Sequence, residues 1–203
     1  SDLQAVIPGP YSLFDLATDE YYGDEDDFQA ALAAFLADEI EAFPEVESVF
    51  VLEPSLAVNP PADPDSAIDA IEDVLGAIDE SGDTDSVVHP YWGALSGDVY
   101  AALLDSTVDA IGYDLVTDPE ANESLAEEYG TPDTVSLGVI DGQNTRIESG
   151  AEIDERVSSF ADAADSIETA YLTFNTEPFY LPVRSFEAKL DAIAGVPTQE
   201  AEP

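Results

Sequence analysis

His89 is the chain's one histidine, and it closes a short apolar run in the order His89-Pro90-Tyr91-Trp92. An imidazole can carry a proton near neutral pH or bind a metal; it can also sit hydrogen-bonded in a core. Five more polar clusters follow short apolar runs in the same way. They are Pro8-Gly9-Pro10-Tyr11-Ser12, Glu53-Pro54-Ser55, Tyr113-Asp114, Asp141-Gly142-Gln143-Asn144 and Asn175-Thr176-Glu177. Glu53 has the chemistry of a general acid/base or a substrate anchor; the plainer reading is a carboxylate capping the next loop. Asp114, Asp141, Glu53 and Glu177 could together receive an ammonium group or a hard divalent cation through oxygen. In so acidic a chain they could equally be solvated loop carboxylates. Gln143, Asn144 and Asn175 are directional hydrogen bonders, suited either to recognising a polar ligand or to tying loops together. Tyr11, with Ser12 beside it, and Tyr91 and Trp92 could stack on a planar ring or fill a core. There is no cysteine, so no thiolate ligand, thiol nucleophile or disulfide is available.

The elements that would position these clusters alternate regularly. Runs rich in Val, Ile and Leu at Leu3–Ile7, Ser48–Leu52, Asp85–His89, Ala110–Asp114, Val135–Ile140 and Ala170–Asn175 read as strands buried on both faces. Between and after them, helical spacing predicts Asp26–Phe43, Pro64–Asp79, Gly97–Leu104, Pro119–Tyr129, Glu152–Ala164 and Pro182–Ala194. In the first helix Phe28, Leu32, Phe35, Leu36, Ile40 and Phe43 are expected to form the core face. Pro64, Pro119 and Pro182 sit near helix starts, where a missing N–H costs nothing. Serial βα units predict a parallel sheet with right-handed crossovers. Polar residues after every strand favour a (β/α)8 barrel over a doubly wound sheet, which concentrates its site at one switch point. No glycine-rich phosphate loop follows any strand. A full barrel takes ~250 residues. Residues 1–195 therefore read as the six C-terminal βα units of one barrel domain, with 196–203 an unstructured tail.

The 203 residues carry 46 acidic side chains against 4 basic ones, Arg146, Arg156, Arg184 and Lys189, for a formal charge of −42. Hydrophobic residues still make up 45%, with 9 Phe, 9 Tyr and 1 Trp, which argues against disorder. Four dispersed cations cannot build a nucleic-acid surface or hold an anionic membrane. No apolar run approaches the ~20 residues of a membrane span, and no signal-peptide pattern opens the chain. At molar salt the Debye length falls to about 3 Å, which screens the repulsion among the carboxylates. Acids spread over every segment are the composition expected of a cytoplasmic protein in a salt-loaded cell.

In order, these strand ends resemble the cobalamin-independent methionine synthase family, within the superfamily that includes uroporphyrinogen decarboxylase. Pro8-Gly9-Pro10-Tyr11-Ser12 is similar to the family's T-G-P-x-T, and Glu53-Pro54-Ser55-Leu56 to its D-E-P-A-L. His89-Pro90-Tyr91-Trp92 stands at its H-x-C-Y, and Asp109–Asp114 at the strand ending in Glu. Gly138-Val139-Ile140-Asp141 with Arg146–Ser149 resembles G-V-x-D, and Asn175-Thr176-Glu177-Pro178 stands at N-P-D-C. The resemblance implies a methionine-synthase barrel whose first two strands would precede Ser1. It also implies methyl transfer from a folate-like donor to the homocysteine thiol, with zinc binding that thiol.

The resemblance also locates departures. The family's zinc ligands are a His, two Cys and a Glu. Here His89 keeps its position, Asp114 replaces the Glu, and Tyr91 and Pro178 replace the cysteines. Leu52 stands where the family has the Asp that holds the substrate amino group, and Gln143 where it has a proton-transferring His. Two functions follow as expectations. In one, the chain catalyses methyl transfer with a degraded zinc site. His89 and Asp114 are then the metal candidates, and Glu53, Asp141 and Gln143 the catalytic ones. Tyr11, Ser12, Trp92, Asn144, Asn175 and Glu177 contact homocysteine and the methyl-pterin. In the other, it is a non-catalytic paralogue that binds the donor or supports a separate zinc-bearing barrel.

Overall fold

A computed structural model describes residues 3–80, 84–164 and 166–196. The tail expected over 196–203 lies, from residue 197 on, outside the described residues. The strands are β1 (Gln4–Pro8), β2 (Ser48–Leu52), β3 (Asp85–His89), β4 (Ala110–Asp114), β5 (Thr134–Ile140) and β6 (Thr169–Phe174). The helices are α1 (Pro10–Leu16), α2 (Glu25–Glu41), α3 (Pro54–Val58), α4 (Pro64–Glu80), α5 (Gly97–Leu104), α6 (Pro119–Tyr129), α7 (Gly150–Ala163) and α8 (Val183–Ala194). Strand order is sequential, β1 to β6, with parallel neighbours. A doubly wound sheet would reverse its order at a switch point; unbroken sequential order is the topology of the (β/α) barrel class, here in six βα units.

The chain divides into two compact units. The first holds residues 1–90 and 95–111, with β1 to β3, the start of β4 and α1 to α5. Its inner strand β2 is buried along almost its whole length, with Val49 and Val51 closed to solvent. Register runs Ser48↔Asp85 through Leu52↔His89, which brings the ends of β2 and β3 level. Helix α2 starts where the Asp24 side chain accepts the N–H groups of Asp26 and Asp27, as an N-cap should. Its buried face is Gln29, Ala33, Leu36 and Ile40, whereas Phe35 is exposed. Phe35 is one residue, about 100° of helix, away from Leu36, so both cannot face the same groove. Gln29 enters the buried face because its Nε2 donates to the Ser66 carbonyl of α4 at 3.3 Å.

The second unit holds residues 91–94 and 112–203, with the end of β4, β5, β6 and α6 to α8. Tyr113 points to the helix side, its ring 4.4 Å from that of Phe160 on α7. The alternate residues Gly112 and Asp114 therefore lie on the opposite face of β4. Helix α7 opens with a capping box between Ser149 and Glu152.

Two helices were not anticipated. Helices α1 and α3 are 7 and 5 residues long, too short to show a period, and each begins with proline, Pro10 and Pro54, in a motif read as loop. The remaining element boundaries lie within two residues of those expected, and no helix among the described residues is long and apolar enough to cross a membrane.

Candidate functional site

In the first unit, Glu53 leaves β2 and turns back onto α1. Its Oε1 accepts the Tyr11 N–H at 2.9 Å, and its Oε2 accepts the Ser12 N–H at 2.7 Å and the Ser12 hydroxyl at 2.6 Å. Ser12 Oγ in turn accepts the Ser55 N–H at 3.1 Å. A Cβ on Gly9 would overlap the Glu53 carboxyl, so only glycine admits this approach. The carboxylate thus caps α1, the helix before it, rather than the loop after it. Glu53 is closed to solvent. Burial pushes its pKa up to about 7, against the opposing pull of hydrogen bonds from the Ser12 side chain and the Ser12 and Tyr11 amides. Tyr11 is buried and its hydroxyl donates to the Asn59 carbonyl at 2.7 Å; burial first, then Asp15 and Glu53, raise its pKa to about 12. His89 is buried at the end of β3, its ring 6.3 Å from that of Phe50, and its carbonyl accepts the Glu53 N–H at 3.2 Å.

The second unit is organised around Asp114. Its Oδ1 accepts the Val116 N–H (3.0 Å), the Thr117 N–H (2.8 Å) and Asn175 Nδ2 (3.1 Å), and its Oδ2 accepts the Trp92 N–H (3.1 Å). Asn175 also donates to Thr117 Oγ1 at 3.2 Å and accepts the Gly142 N–H at 3.0 Å, so the ends of β4, β5 and β6 are tied together. Asn122 on α6 donates to the Asp114 carbonyl at 3.0 Å and to the Gly93 carbonyl at 3.5 Å. Trp92 takes φ +70° and is 45% exposed as a residue; its ring lies 5.0 Å from that of buried Tyr91 and nearly perpendicular to it.

The β5–α7 loop holds itself. Asp141 accepts the Gln143 N–H at 2.7 Å and the Asn144 side-chain amide, and Asn144 accepts the Arg146 N–H at 2.9 Å. The Gln143 and Asn144 residues are exposed, and Glu177 is half-buried. Beneath this loop Glu148 accepts the Asp141 N–H at 3.2 Å and pairs with Lys189 of α8 at 2.7 Å, both side chains closed to solvent. Asn122, Thr117, Glu148 and Lys189 escaped the sequence reading. Lys189 carried one signal: it is the chain's only lysine and falls within a helix with apolar spacing.

A zinc site is poorly served by these residues. A carboxylate oxygen offers about two acceptor directions; three donors crowd Asp114 Oδ1 and a fourth takes one direction of Oδ2. The Pro178 side chain has no donor atom to offer. Among the described residues no group of three or more His, Cys, Asp or Glu is placed to hold a metal ion.

The fold is that of the methionine-synthase barrels. A B12-independent methionine synthase from Shewanella sp. W3-18-1, in complex with selenomethionine, matches with a TM-score of 0.73 at 20% identity, over 95% of this chain and 60% of its own. A protein from Listeria monocytogenes, described as a candidate vitamin-B12-independent methionine synthase, matches with a TM-score of 0.63 at 18% identity, over 92% of this chain and 61% of its own. This chain thus spans about three-fifths of those structures. No curated protein is significantly similar in sequence. The family described as cobalamin-independent synthase, N-terminal domain, matches residues 1–165. The chain belongs to the cobalamin-independent methionine synthase family.

Proposed function

We propose that this chain is the donor-binding half of a methionine-synthase-like system in a salt-loaded cytoplasm, working beside a separate zinc-bearing barrel that activates the homocysteine thiol. One observation carries the reading: the Asp114 carboxylate is already engaged by four protein donors, the Val116 and Thr117 amides and Asn175 on Oδ1 and the Trp92 amide on Oδ2. Zinc that binds a thiol as thiolate suits soft, tetrahedral ligands. A cysteine-free chain with Tyr91 and Pro178 at the two thiolate positions lacks such a set. Catalysis by this chain alone, with His89 and Asp114 as ligands, would have to use Asp114 Oδ2 beside the Trp92 amide it already accepts. The family match supports the paired reading, because a domain described as N-terminal has a further domain after it in those proteins. In this reading Trp92, Gln143, Asn144 and Glu177 face the small molecule. Asp114, Asp141 and Asn175 set the loops that present them, and Glu53, Tyr11 and Ser12 join β2 to α1 within the first unit.

The test is methionine formation from homocysteine and a methyl-pterin donor in molar KCl with zinc. The chain alone should give no methionine above background. Adding it to a separately purified zinc-bearing barrel of the family should raise that barrel's rate. Sustained turnover by the chain alone overturns the reading.

A further inference from the structure

We infer that the turn between β6 and α8 is a protein-docking surface, with Phe179 and Tyr180 as its anchors and Arg184 at its rim, and that its partner is the zinc-bearing barrel. The partner's identity rests on the two-chain reading above; the surface itself rests on geometry within the second unit. Pro178–Leu181 closes a β-turn in which the Leu181 N–H donates to the Pro178 carbonyl at 3.1 Å. Phe179 and Tyr180 therefore fill its two corner positions. Turn corners favour Gly, Pro, Asn, Asp and Ser, each for a backbone reason, so an aromatic pair there does nothing for the turn. It does nothing for the core either: Phe179 is 79% and Tyr180 97% exposed. Val183, which opens α8, is 70% exposed. Other residues seat this segment: Phe186 stacks on Phe174 of β6 with ring centroids 5.7 Å apart, and Lys189 reaches Glu148. Three large apolar side chains left to solvent within five positions form a patch rather than a scatter. Exposed aromatics beside an arginine are the composition of a binding hot spot.

What covers the patch follows from charge and position. Pro178–Phe186 contains no acidic residue, in a chain that carries 46. Drying a carboxylate at an interface costs its hydration, which screening by salt does not remove; this stretch has none to dry. Of the four basic residues, Lys189 is buried on Glu148, Arg156 donates to the Val139 carbonyl at 2.6 Å, and Arg146 pairs with Glu152 at 2.7 Å. Arg184 is exposed and makes no hydrogen bond or ion pair with another described residue. Its guanidinium can receive a carboxylate in two parallel bonds. A two-fold contact between copies of this chain would set the carboxylate-free stretch against itself, so a second protein with an acid beside an apolar cleft fits better. The turn directly follows Asn175-Thr176-Glu177, and the Asn175 side chain is bonded to Asp114 and to the Gly142 N–H. A partner seated on it stands at the strand-end loops that carry Trp92, Gln143 and Asn144, where the two-chain reading needs the zinc-bearing barrel to be.

The test uses the full chain and a separately purified zinc-bearing methionine-synthase barrel from the same cell, in molar KCl. Complex formation would be followed by sedimentation velocity and calorimetry for the native chain, Phe179→Ser/Tyr180→Ser and Arg184→Glu. All three side chains are exposed, so each variant should keep the native circular dichroism and urea midpoint. The native chain should bind the barrel one to one. Phe179→Ser/Tyr180→Ser should weaken that binding by about thirtyfold or more, the loss of a hot spot, and Arg184→Glu by about tenfold. Equal binding by native chain and variants overturns the docking surface and leaves the two-chain reading standing. Self-association of the native chain that the variants abolish, without binding to the barrel, keeps the surface and overturns its partner. No association of either kind overturns the inference; the two-chain reading falls with it only if the chain also fails to raise the barrel's rate of methionine formation.

Discussion

Glu53 makes the fold more stable as pH falls from 8 to 5. Its carboxyl is closed to solvent, and burial pushes its pKa from the ordinary 4.5 up to about 7. Within that window the folded state keeps a proton that the unfolded state has released. Stability therefore falls as pH rises through the window and rises as pH is lowered through it. At about 1.4 kcal/mol per pKa unit, the difference from 4.5 to about 7 amounts to about 3 kcal/mol. The other carboxylates also titrate as the solution is acidified, so the Glu53 contribution must be isolated by substitution. Glu53→Gln keeps the shape and removes the titration. It also turns an amide toward the Tyr11 or Ser12 N–H, a pH-independent cost of about 1–3 kcal/mol. The assay is urea unfolding of both proteins in molar KCl at several pH values between about 5 and about 8. Between about pH 8 and about pH 5 the native chain should gain about 2.5 kcal/mol more than the variant. Parallel pH profiles would refute the reasoning, because they would mean that Glu53 keeps an ordinary carboxylate pKa under three hydrogen bonds.

Lys189→Met leaves Glu148 buried without its partner and should cost about 3–5 kcal/mol in urea unfolding. The double variant Lys189→Met/Glu148→Leu should recover most of that loss, which a merely crowded site would not allow. Arg146→Ala, which breaks an exposed pair, should leave the unfolding midpoint nearly unchanged. Asp114→Ala strands the Trp92, Val116 and Thr117 amides and the Asn175 side chain, and should cost about 3 kcal/mol or more by the same assay. Raising KCl from about 0.1 M to molar should raise the melting temperature steadily, because screening shortens the reach of the repulsion among 46 acidic groups.

Strands buried on two faces need uninterrupted apolar runs, which is why β2, β3 and β4 were legible residue for residue. The short helices were not, because α1 and α3 complete two turns or fewer and open inside proline motifs that also suit turns. Phe35 shows the limit of reading a helix face by hydrophobicity alone: Gln29 takes a buried place through a hydrogen bond to another helix. The candidate residues fell at strand ends as expected, since that position follows from strand length. Their uses did not follow from their types. Glu53 turns back to α1 across 41 and 42 residues, and Asp114 gathers Trp92 from 22 residues away and Asn175 from 61, relations that no local pattern records. The pair Glu148–Lys189 is of the same kind, joined across 41 residues.

We propose that this chain keeps the methionine-synthase scaffold without a thiol-activating metal centre. The most direct test is zinc stoichiometry of the untagged protein, purified in molar KCl and stripped of loosely bound metal, beside His89→Ala. Substoichiometric zinc, the same in both proteins, is expected. About one tightly held zinc per chain, lost in His89→Ala, would contradict it.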